Sequence, residues 1–506
     1  MFLRKIAEYL ATPGAKGAVN DTAHTQVVPQ PNLSLIEQQE GKDVSLHVLV
    51  QQAPEKATAN ITGYVEHAKA NRLDRWLDQV VKASGSQPVF LMMVGGVLAW
   101  AFLGIPYGES DQWAALISDV QAIISYAFDS LLMRQQLNRY ERQIHVSAQL
   151  RSRIASQRRM LREIHGSGKY KKGSVEQIIN ARPSKFGADL PAEGWTSRIS
   201  NYAAAFLGHF ATVCMYWVCI VIWLGFGDSQ GWSDRWQLNI NSATSALMIL
   251  IFTFLANIHE RHDDYVEECL DAIFQVDSDV EVKLRTMTGD TMPNPTITVP
   301  GPQLTRTQRV IFYYADVIGT LVGIALLIIV LVVWVCIGPA MHWNNNWWLL
   351  IGTYAGLVGL IDGFVLRNVQ ARLHEYEVAA LDQVKLDDVG IFDEIGVPEP
   401  EKTHMLDYCS LNYRLSTRMG TVCAHEITVM AGIVLVIGLI VGASAMKWTT
   451  TGQLLCNIPP SIVESFFMMI LITGHNLSEA EWRTDLHNMY LGRLRLLAYV
   501  DHLEEE

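Results

Sequence analysis

The sequence predicts an all-α polytopic membrane protein with eight transmembrane helices, built from four repeated two-helix hairpins, with both termini cytoplasmic. Three observations lead to this fold class. Half of the 506 residues are hydrophobic, and they gather into runs long enough to cross about 30 Å of hydrocarbon. The chain also matches itself four times along its length. Finally, its basic residues are sorted to one side of the predicted helices.

Four copies of one unit come into register when the sequence is laid over itself. Arg75, Arg198, Arg309 and Arg414 mark the same position, at successive offsets of 123, 111 and 105 residues. Tryptophans and glycines recur at fixed places in the copies, which composition alone would not produce. The recurring residues are Trp100, Trp223 and Trp334; Gly104, Gly227 and Gly338; Trp113, Trp236 and Trp347; and Trp232, Trp343 and Trp448.

The apolar runs and the polar segments between them give the predicted organisation. The run at 114–133 contains Asp119 and Asp129, so it is predicted to face a bundle interior rather than lipid. The eight runs are 88–105, 114–133, 202–227, 238–258, 311–341, 348–366, 421–446 and 456–473. The predicted segments are a partly disordered cytoplasmic tail 1–72, hairpins 73–142, 198–265, 306–376 and 412–481, connections 143–197 (basic), 266–305 and 377–411 (acidic), and a cytoplasmic tail 482–506.

The distribution of basic residues predicts the orientation. Of the 39 lysines and arginines, only Arg235 and Lys447 lie in the four tips between paired helices. By the positive-inside rule, the tips face outward, and the tails and longer connections are cytoplasmic. A soluble all-α protein with buried helices would not sort its basic charge in this way.

Several function classes find no support in the sequence. The seven cysteines are scattered without metal-motif spacing and read as free thiols. The chain contains no phosphate-binding loop, nucleophile elbow or His-Glu-x-x-His motif, so neither an ATP-driven pump nor an enzyme is predicted. No permanently bound cofactor and no nucleic-acid partner are predicted. Basic residues are absent from the membrane segments, which argues against an anionic substrate.

The basic connection has two readings. Arginines and lysines between residues 151 and 172 would bind anionic lipid headgroups, or would form a solvated helix that simply obeys the positive-inside rule. The lipid bilayer is the one partner that both readings share.

The second copy resembles a known family. It reads Trp236-Gln237-Leu238-Asn239-Ile240-Asn241-Ser242-Ala243-Thr244, then reaches Asn257 ahead of Arg261-His262-Asp263. This is similar to the Trp-Gln-Leu-x-Ile-Asn-Thr-x-Thr stretch and the helix-end Asn followed by Arg-Asp of the low-affinity iron permease family. Ser242 replaces the family's first Thr, and His262 is an extra residue. The resemblance implies a fungal plasma-membrane carrier of Fe(II), with zinc, copper and other divalent metals as further substrates.

Three carboxylates fall at similar depth in the predicted helices. Asp129, Asp362 and Glu464 lie 54, 53 and 50 residues after their copy's arginine, a spread of about one helical turn or 6 Å. An ionised carboxylate in a membrane costs at least about 2.5 kcal/mol unless it is paired or hydrated. We expect these acids to line a wet cation path. The alternative is protonated acids that hydrogen-bond between helices.

Four histidines also occupy matching positions, and all are predicted in the inner half of the membrane. His209 and His425 match on one pair of helices, and His259 and His475 match on another, where the first and third copies hold Gln136 and Gln370. Neutral imidazole suits Fe(II), Zn(II) and Cu(II). The alternative is that they are core residues with ordinary hydrogen bonds.

Asparagines complete the predicted metal-ligand set. Asn241 and Asn457 are expected at the outer end, where tip acids would concentrate cations, although helix capping would explain them equally well. Asn257 matches the family's helix-end Asn and would form either a cap or an inner constriction.

The predicted function is low-affinity entry of Fe(II) and other divalent metals through the plasma membrane, driven by membrane potential or a proton gradient. Copies two and four share most polar positions, so the path is expected between them. The alternative is a membrane scaffold or sensor whose cytosolic segments bind partners.

Overall fold

The computed structural model describes residue 14 and residues 16–28, 60–66, 69, 71–167, 186–187, 189–192, 194–403 and 408–505. In this part of the chain the regular structure is almost all helical, as predicted. Most of the predicted N-terminal tail lies outside the described residues, as do Lys169, Lys171 and Lys172. The helices are α1 (Arg72–Ser84), α2 (Gln87–Tyr107), α3 (Asp111–Ser167), α4 (Trp195–Leu207), α5 (Phe210–Gly225), α6 (Asp234–Thr288), α7 (Arg306–Ile318), α8 (Leu321–Ile337), α9 (Asn345–Ile395), α10 (Leu411–Ala424), α11 (Glu426–Ala445), α12 (Thr450–Leu455) and α13 (Ile458–Glu505). Two short strands, β1 (Val19–Asp21) and β2 (Ile297–Val299), pair antiparallel.

Four of the helices are very long. α3, α6, α9 and α13 contain 57, 55, 51 and 48 residues. At about 1.5 Å per residue each is more than twice as long as a bilayer's hydrocarbon is thick. These helices run without a break through residues 142, 265, 376 and 481, where the sequence places the ends of the hairpins. The basic and acidic connections therefore begin as continuations of α3 and α9.

Six helices of the described part are long and apolar enough to cross a membrane: α2, α11 and the four long helices, with α13 taken together with α12. Two further crossings are formed if each bent pair counts as one span. The bends are 53° between α4 and α5, and 66° between α7 and α8. The protein is thus an all-α polytopic membrane protein.

A kink precedes each of the apolar helices α2, α5, α8 and α11. The residues at the kinks are Ser86, His209, Thr320 and His425, which share one register in the aligned copies and are the N-caps of these helices. Their extended backbone ends one helix and begins the next at an angle. His209, Thr320 and His425 each accept a hydrogen bond from the backbone N–H two residues on.

A neighbouring long helix binds each kink through one side chain. Asn257 donates to the Gly85 carbonyl at 2.8 Å, and Asn368 donates to the Ala424 carbonyl at 2.5 Å. Arg134 donates to Gly319 at 3.4 Å, and Thr473 donates to Gly208 at 2.9 Å, again from matching register. Three of the four kinks have glycine at this position, and the fourth has Ala424. Close approach of the neighbouring helix explains the glycine at the first kink. A Cβ on Gly85 would lie 2.7 Å from the Ala256 carbonyl oxygen.

These four hydrogen bonds form a closed cycle. α6 binds the kink before α2, α3 binds the kink before α8, α9 binds the kink before α11, and α13 binds the kink before α5. The long helices pack in the corresponding order, with α3 between α6 and α9, and α13 between the same two on the opposite side. All four long helices surround a common central axis.

The outer and inner surfaces of the bundle differ in polarity. α2, α5, α8 and α11 expose large apolar side chains such as Phe102, Val221 and Val434, the surface expected to face lipid. The long helices bury one apolar core within the membrane part and a second core in the distal part, defined here as the half of the long helices that follows the membrane crossing.

Buried ion pairs join the distal part. Arg153 and Arg285 both pair with Glu281, at 3.2 and 2.9 Å, and Arg493 pairs with Asp277 at 3.2 Å. The other α3 arginines between residues 151 and 162 also pair with neighbouring acids. These pairs are Arg151–Asp387, Arg158–Glu394, Arg162–Glu394 and Arg159–Asp290. Among the described residues, the arginines of the predicted lipid-binding segment are therefore occupied within the protein.

The recurring tryptophans lie at the tips of the hairpins, where they stack in pairs. Ring centroids are 4.4 Å apart for Trp100–Trp113, 4.0 Å for Trp223–Trp236 and 4.3 Å for Trp334–Trp347. In the first and third pairs each indole N–H donates to the partner's backbone carbonyl. These contacts tie the two helices of a hairpin together at the tip.

Candidate functional site

Polar residues line the central axis at three levels. At the level nearest the hairpin tips, named the outer level for its position relative to the tips, the copies place Ser118, Asn241, Gly352 and Asn457 in one register. The Asn241 amide donates to the Ser118 hydroxyl at 2.8 Å, while its Oδ1 atom has no partner. Asn457 precedes α13 and lies against Gly352, where a Cβ would come within 2.8 Å of its amide nitrogen. Both asparagines are buried. Asn241 lies inside α6, so it does not cap that helix, whereas Asn457 lies immediately before α13.

The middle level holds the three predicted acids. Asp129, Asp362 and Glu464 are 0%, 1% and 1% exposed, and their carboxyl groups lie close enough to interact electrostatically. Both carboxyl oxygens of Asp129 and both of Glu464 lack a hydrogen-bond partner. Buried carboxyl oxygens nearly always have one, since burial without a partner is costly.

Small and aromatic residues shape the space around the acids. The Tyr314 hydroxyl donates to Asp362 Oδ1 at 2.6 Å. Glu464 lies directly against Gly359 of α9, where a Cβ would come within 2.7 Å of its carboxyl oxygen. The sequence predicts the acids but not these two neighbours.

The inner level is a ring formed by one register position of all four long helices. Gln136, His259, Gln370 and His475 line a single cavity of about 30 Å³. The volume suits one or two water-sized occupants. The sequence places these residues at equal depth, and the structure brings them around one cavity.

Two of the predicted histidines form the closest contact in this ring. The imidazoles of His259 and His475 lie 4.4 Å apart between centroids, and both rings are buried. His259 Nε2 and His475 Nδ1 have no hydrogen-bond partner. The expected proximity of copies two and four is thus present in this pair.

His262 and Glu479, which the sequence did not indicate as ligands, also lie beside these histidines. The His262 ring lies 5.5 Å from that of His475, and Glu479 places carboxyl oxygens 3.4 Å from His475 Nε2 and 3.7 Å from His262 Nδ1. His262 is visible in the sequence as the extra residue in the Arg-His-Asp motif. Glu479 follows His475 by four residues, a spacing that puts both on one face of a helix.

His209 and His425 lie elsewhere. Both are exposed, and both cap α5 and α11 through Nδ1, which accepts a backbone N–H at 3.2 Å. The structure does not bring them to His259 and His475, because a residue that begins an outer helix lies away from the axis. Their shared register reflects a shared capping role.

Asn257 is also part of the scaffold. Its amide donates to the Gly85 carbonyl, and its Oδ1 accepts from Arg261 at 3.0 Å. Both ends of the side chain are thereby engaged. Neither a C-cap nor a constriction describes it, since it binds the kink of another helix.

An acidic cavity of about 370 Å³ adjoins the inner ring. It lies between α1, α3 and α6 and shares Gln135 and Asp263 with the smaller cavity. Its acids outnumber its lysines and arginines, although some of them are paired, such as Asp263 with Arg142 at 3.4 Å. The acidic residues are Glu66, Asp78, Glu141, Glu260, Asp263, Asp264 and Glu267.

The three levels do not form a closed coordination shell. Among the described residues, no group of three or more His, Cys, Asp or Glu side chains is arranged to hold a metal ion. The arrangement instead offers isolated oxygen and nitrogen ligands in succession along the axis. Such a series would bind a cation weakly at each level and would need side chains to turn toward it.

Comparisons with known proteins identify the family. The family model described as low affinity iron permease matches residues 196–293, 307–403 and 412–498. The low-affinity iron/zinc ion transport protein fet4 of Schizosaccharomyces pombe is 36% identical over 439 residues, which cover 87% of this chain and 75% of that protein. The low-affinity Fe(2+) transport protein of Saccharomyces cerevisiae is 32% identical over 540 residues, with 98% of each chain covered. No solved structure matches the chain significantly. This chain therefore belongs to the low-affinity iron permease family.

Proposed function

We propose that this chain carries Fe(II), and with it other divalent transition metals such as Zn(II), Cu(II) and Mn(II), across the plasma membrane into the cytosol at low affinity. The two relatives are named as transporters of iron and zinc and of Fe(2+). The observation that carries the proposal is the group of three buried carboxyl groups on the axis, two of which have no hydrogen-bond partner.

The proposed topology has eight spans in four repeated hairpins, with both termini cytoplasmic. It counts each bent pair, α4–α5 and α7–α8, as one crossing. Support comes from the hairpin tips, which contain only Arg235 and Lys447 as basic residues. The distal part, with its many ion pairs, would then lie in the cytosol.

A cation would move along the axis past the three levels. Asn241 and Asn457 receive it at the outer end, Asp129, Asp362 and Glu464 offset the cost of its dehydration, and His259 and His475 bind it near the cytosol. The acidic cavity beyond the inner ring attracts the cation out of the bundle toward the cytosol. His209, His425 and Asn257 are assigned to the scaffold that holds this path, rather than to the path itself.

The ligand types fit a borderline divalent cation. Carboxylates and amides alone would suit Mg(II), Ca(II) and Mn(II), whereas imidazole favours Fe(II), Zn(II) and Cu(II). Weak binding at several levels suits rapid transfer at low affinity. The membrane potential is sufficient as a driving force, because two charges that cross 100 mV release about 4.6 kcal/mol.

Uptake of radiolabelled Fe(II) tests the proposal in cells that lack their own iron importers. The full chain is compared with the triple variant Asp129→Asn, Asp362→Asn and Glu464→Gln, at matched amounts in the plasma membrane. We expect saturable uptake by the wild-type chain and its loss in the triple variant. Absence of uptake by a correctly located wild-type chain would favour the alternative, a membrane scaffold or sensor.

A further inference from the structure

A guanidinium group lies beside the cavity that His259 and His475 line. Arg139 of α3 lines the same small cavity as His259 and His475. It follows Gln136 of the inner ring by three residues, so it lies about 4.5 Å further along the axis. The residues in matching register on the other long helices are His262, Leu373 and Ser478, and none of them carries a permanent charge.

Arg139 engages a lone pair that a metal would need. Its Nη2 atom lies 2.8 Å from His262 Nε2. Guanidinium is always a donor, so Nε2 accepts and the proton of a neutral His262 is on Nδ1, the atom that faces Glu479. The one imidazole nitrogen of His262 that is free to bind a cation is therefore covered.

A second set of contacts holds Arg139 from the other side. With its amide turned to satisfy both neighbours, Gln143 accepts from Arg139 Nε at 3.1 Å and donates to the Glu377 carboxylate at 2.6 and 2.9 Å. Glu377 is 5% exposed. This buried carboxylate supplies a counter-charge toward which the guanidinium would move when it leaves His262.

The charge of Arg139 is incompatible with a divalent cation in the neighbouring cavity. Arg139 is half-buried, so its repulsion of a cation in this enclosed cavity is screened less than it would be in water. A metal at His259 and His475 would require the guanidinium to withdraw. Withdrawal would at the same time free His262 Nε2 beside His475 and Glu479.

We propose that Arg139 is the inner gate of the metal path, and that His262 is a metal ligand which it uncovers when it moves toward Glu377. Glu479, which accepts a hydrogen bond from Arg483 Nε at 3.0 Å, is the neighbouring carboxylate ligand. The inference rests on the proposed transport function. In this structure the gate is closed, because the guanidinium binds His262 Nε2. Metal arriving from the acid level displaces the guanidinium, and Arg139 returns to His262 after the metal has left toward the acidic cavity.

Charge removal at Arg139 tests the gate in the same uptake assay. Arg139→Gln should take up Fe(II) roughly tenfold faster than the wild-type chain, because a half-buried unit charge beside the cavity is gone. Arg139→Lys keeps the charge and should stay near the wild-type rate. Arg151→Gln is the matched control on the same helix, since Arg151 forms an ion pair with Asp387 in the distal part. It should leave uptake unchanged.

The outcomes separate the two proposals. Uptake by the wild-type chain that is unchanged or slower in Arg139→Gln, at equal surface amounts, overturns the gate and leaves the transport proposal standing. No uptake by the wild-type chain overturns the transport proposal itself. Arg139→Leu, which copies the residue type of Leu373, provides a second uncharged variant if Arg139→Gln does not fold.

Binding of Co(II) to the purified full chain gives a readout that is independent of uptake. Co(II) bound by imidazole and carboxylate shows d–d absorption bands. Arg139→Gln should bind Co(II) more tightly than the wild-type chain, and Arg139→Gln with His262→Ala should lose that gain. Equal affinity in all three proteins would remove His262 from the ligand set.

Discussion

The Tyr314 hydroxyl donates a 2.6 Å hydrogen bond to Asp362, whereas Asp129 and Glu464, the two acids beside Asp362, have no such partner. One acid of the group is therefore fixed by the protein, and the other two are left for a ligand or for water. This asymmetry predicts which of the three acids contributes most to cation binding.

Asp129→Asn and Glu464→Gln should each lower Fe(II) uptake by about tenfold, the loss expected when one charged ligand is removed. Tyr314→Phe should have a smaller effect, because it frees an Asp362 oxygen rather than removing a carboxylate. Initial uptake rates at several Fe(II) concentrations would measure both. A larger loss in Tyr314→Phe than in Asp129→Asn would contradict this order.

The neighbouring histidines His259 and His475 should determine which metals compete with Fe(II). We expect His259→Gln with His475→Gln, which makes all four positions of the inner ring glutamine, to weaken inhibition of Fe(II) uptake by Zn(II) more than inhibition by Mn(II), since imidazole favours zinc. Competition curves for the two metals would show the change. His209→Gln with His425→Gln is the matched control, because those histidines are exposed caps. A change in metal selectivity in this control would show that His209 and His425 contribute to the metal path.

The close packing of Gly227 against Trp232 at a hairpin tip predicts that one added methyl group lowers stability. A Cβ on Gly227 would lie 2.6 Å from the Trp232 ring, and Trp232 itself has a left-handed backbone with φ of 50°. Gly227→Ala should therefore lower the free energy of unfolding by about 1–3 kcal/mol, the usual cost of overpacking. Gly225→Ala is the control two residues earlier, where a Cβ would meet nothing within 4 Å. Thermal unfolding in detergent should separate the two variants.

The distal part should show a distinct acid response. Hydrogen bonds from Arg162 and Arg158 lower the pKa of Glu394 from its usual 4.5 to about 2. Because the folded-state pKa is the lower one, the stabilisation is complete above about pH 4.5 and is lost as the pH falls toward 2. Glu394 is partly exposed, so the effect is modest.

Comparison with Glu394→Gln measures that contribution. The difference in unfolding temperature between the wild-type chain and Glu394→Gln should be constant from pH 7 to 5 and should shrink below pH 4.5. Asp393→Asn, at the exposed neighbouring position, serves as the control. A difference that grows on acidification would show that the two arginines do not hold Glu394 ionised.

The sequence predicts those features of the site that depend on depth alone. Equal register placed Gln136, His259, Gln370 and His475 at one level, and the helices do surround one cavity there. Direction around a helix is harder to read, which is why His209 and His425 were grouped with the wrong neighbours. An imidazole that caps a helix and one that faces an axis look alike in a sequence.

Other parts of the structure depend on contacts between distant residues. Arg139 reads as an ordinary basic residue that follows a membrane helix, and only its approach to His262 distinguishes it. The apolar runs also do not predict the full length of α3 and α9, because polar residues continue each helix beyond its apolar run. Those residues are stabilised by the partner helices, which a local pattern does not reveal.

The cycle of kink contacts constrains how the protein is made. Asn257 donates to Gly85, which precedes it in the chain, so the first of these hydrogen bonds forms only after the second hairpin has left the ribosome. The Arg134–Gly319 hydrogen bond requires the third hairpin, and the Asn368–Ala424 hydrogen bond requires the fourth. The last hydrogen bond, from Thr473 to Gly208, also requires the fourth hairpin. Assembly of the axis is thus completed only near the end of synthesis. A chain truncated before Thr473 would lack the last of these hydrogen bonds and would leave the Gly208 carbonyl without that partner.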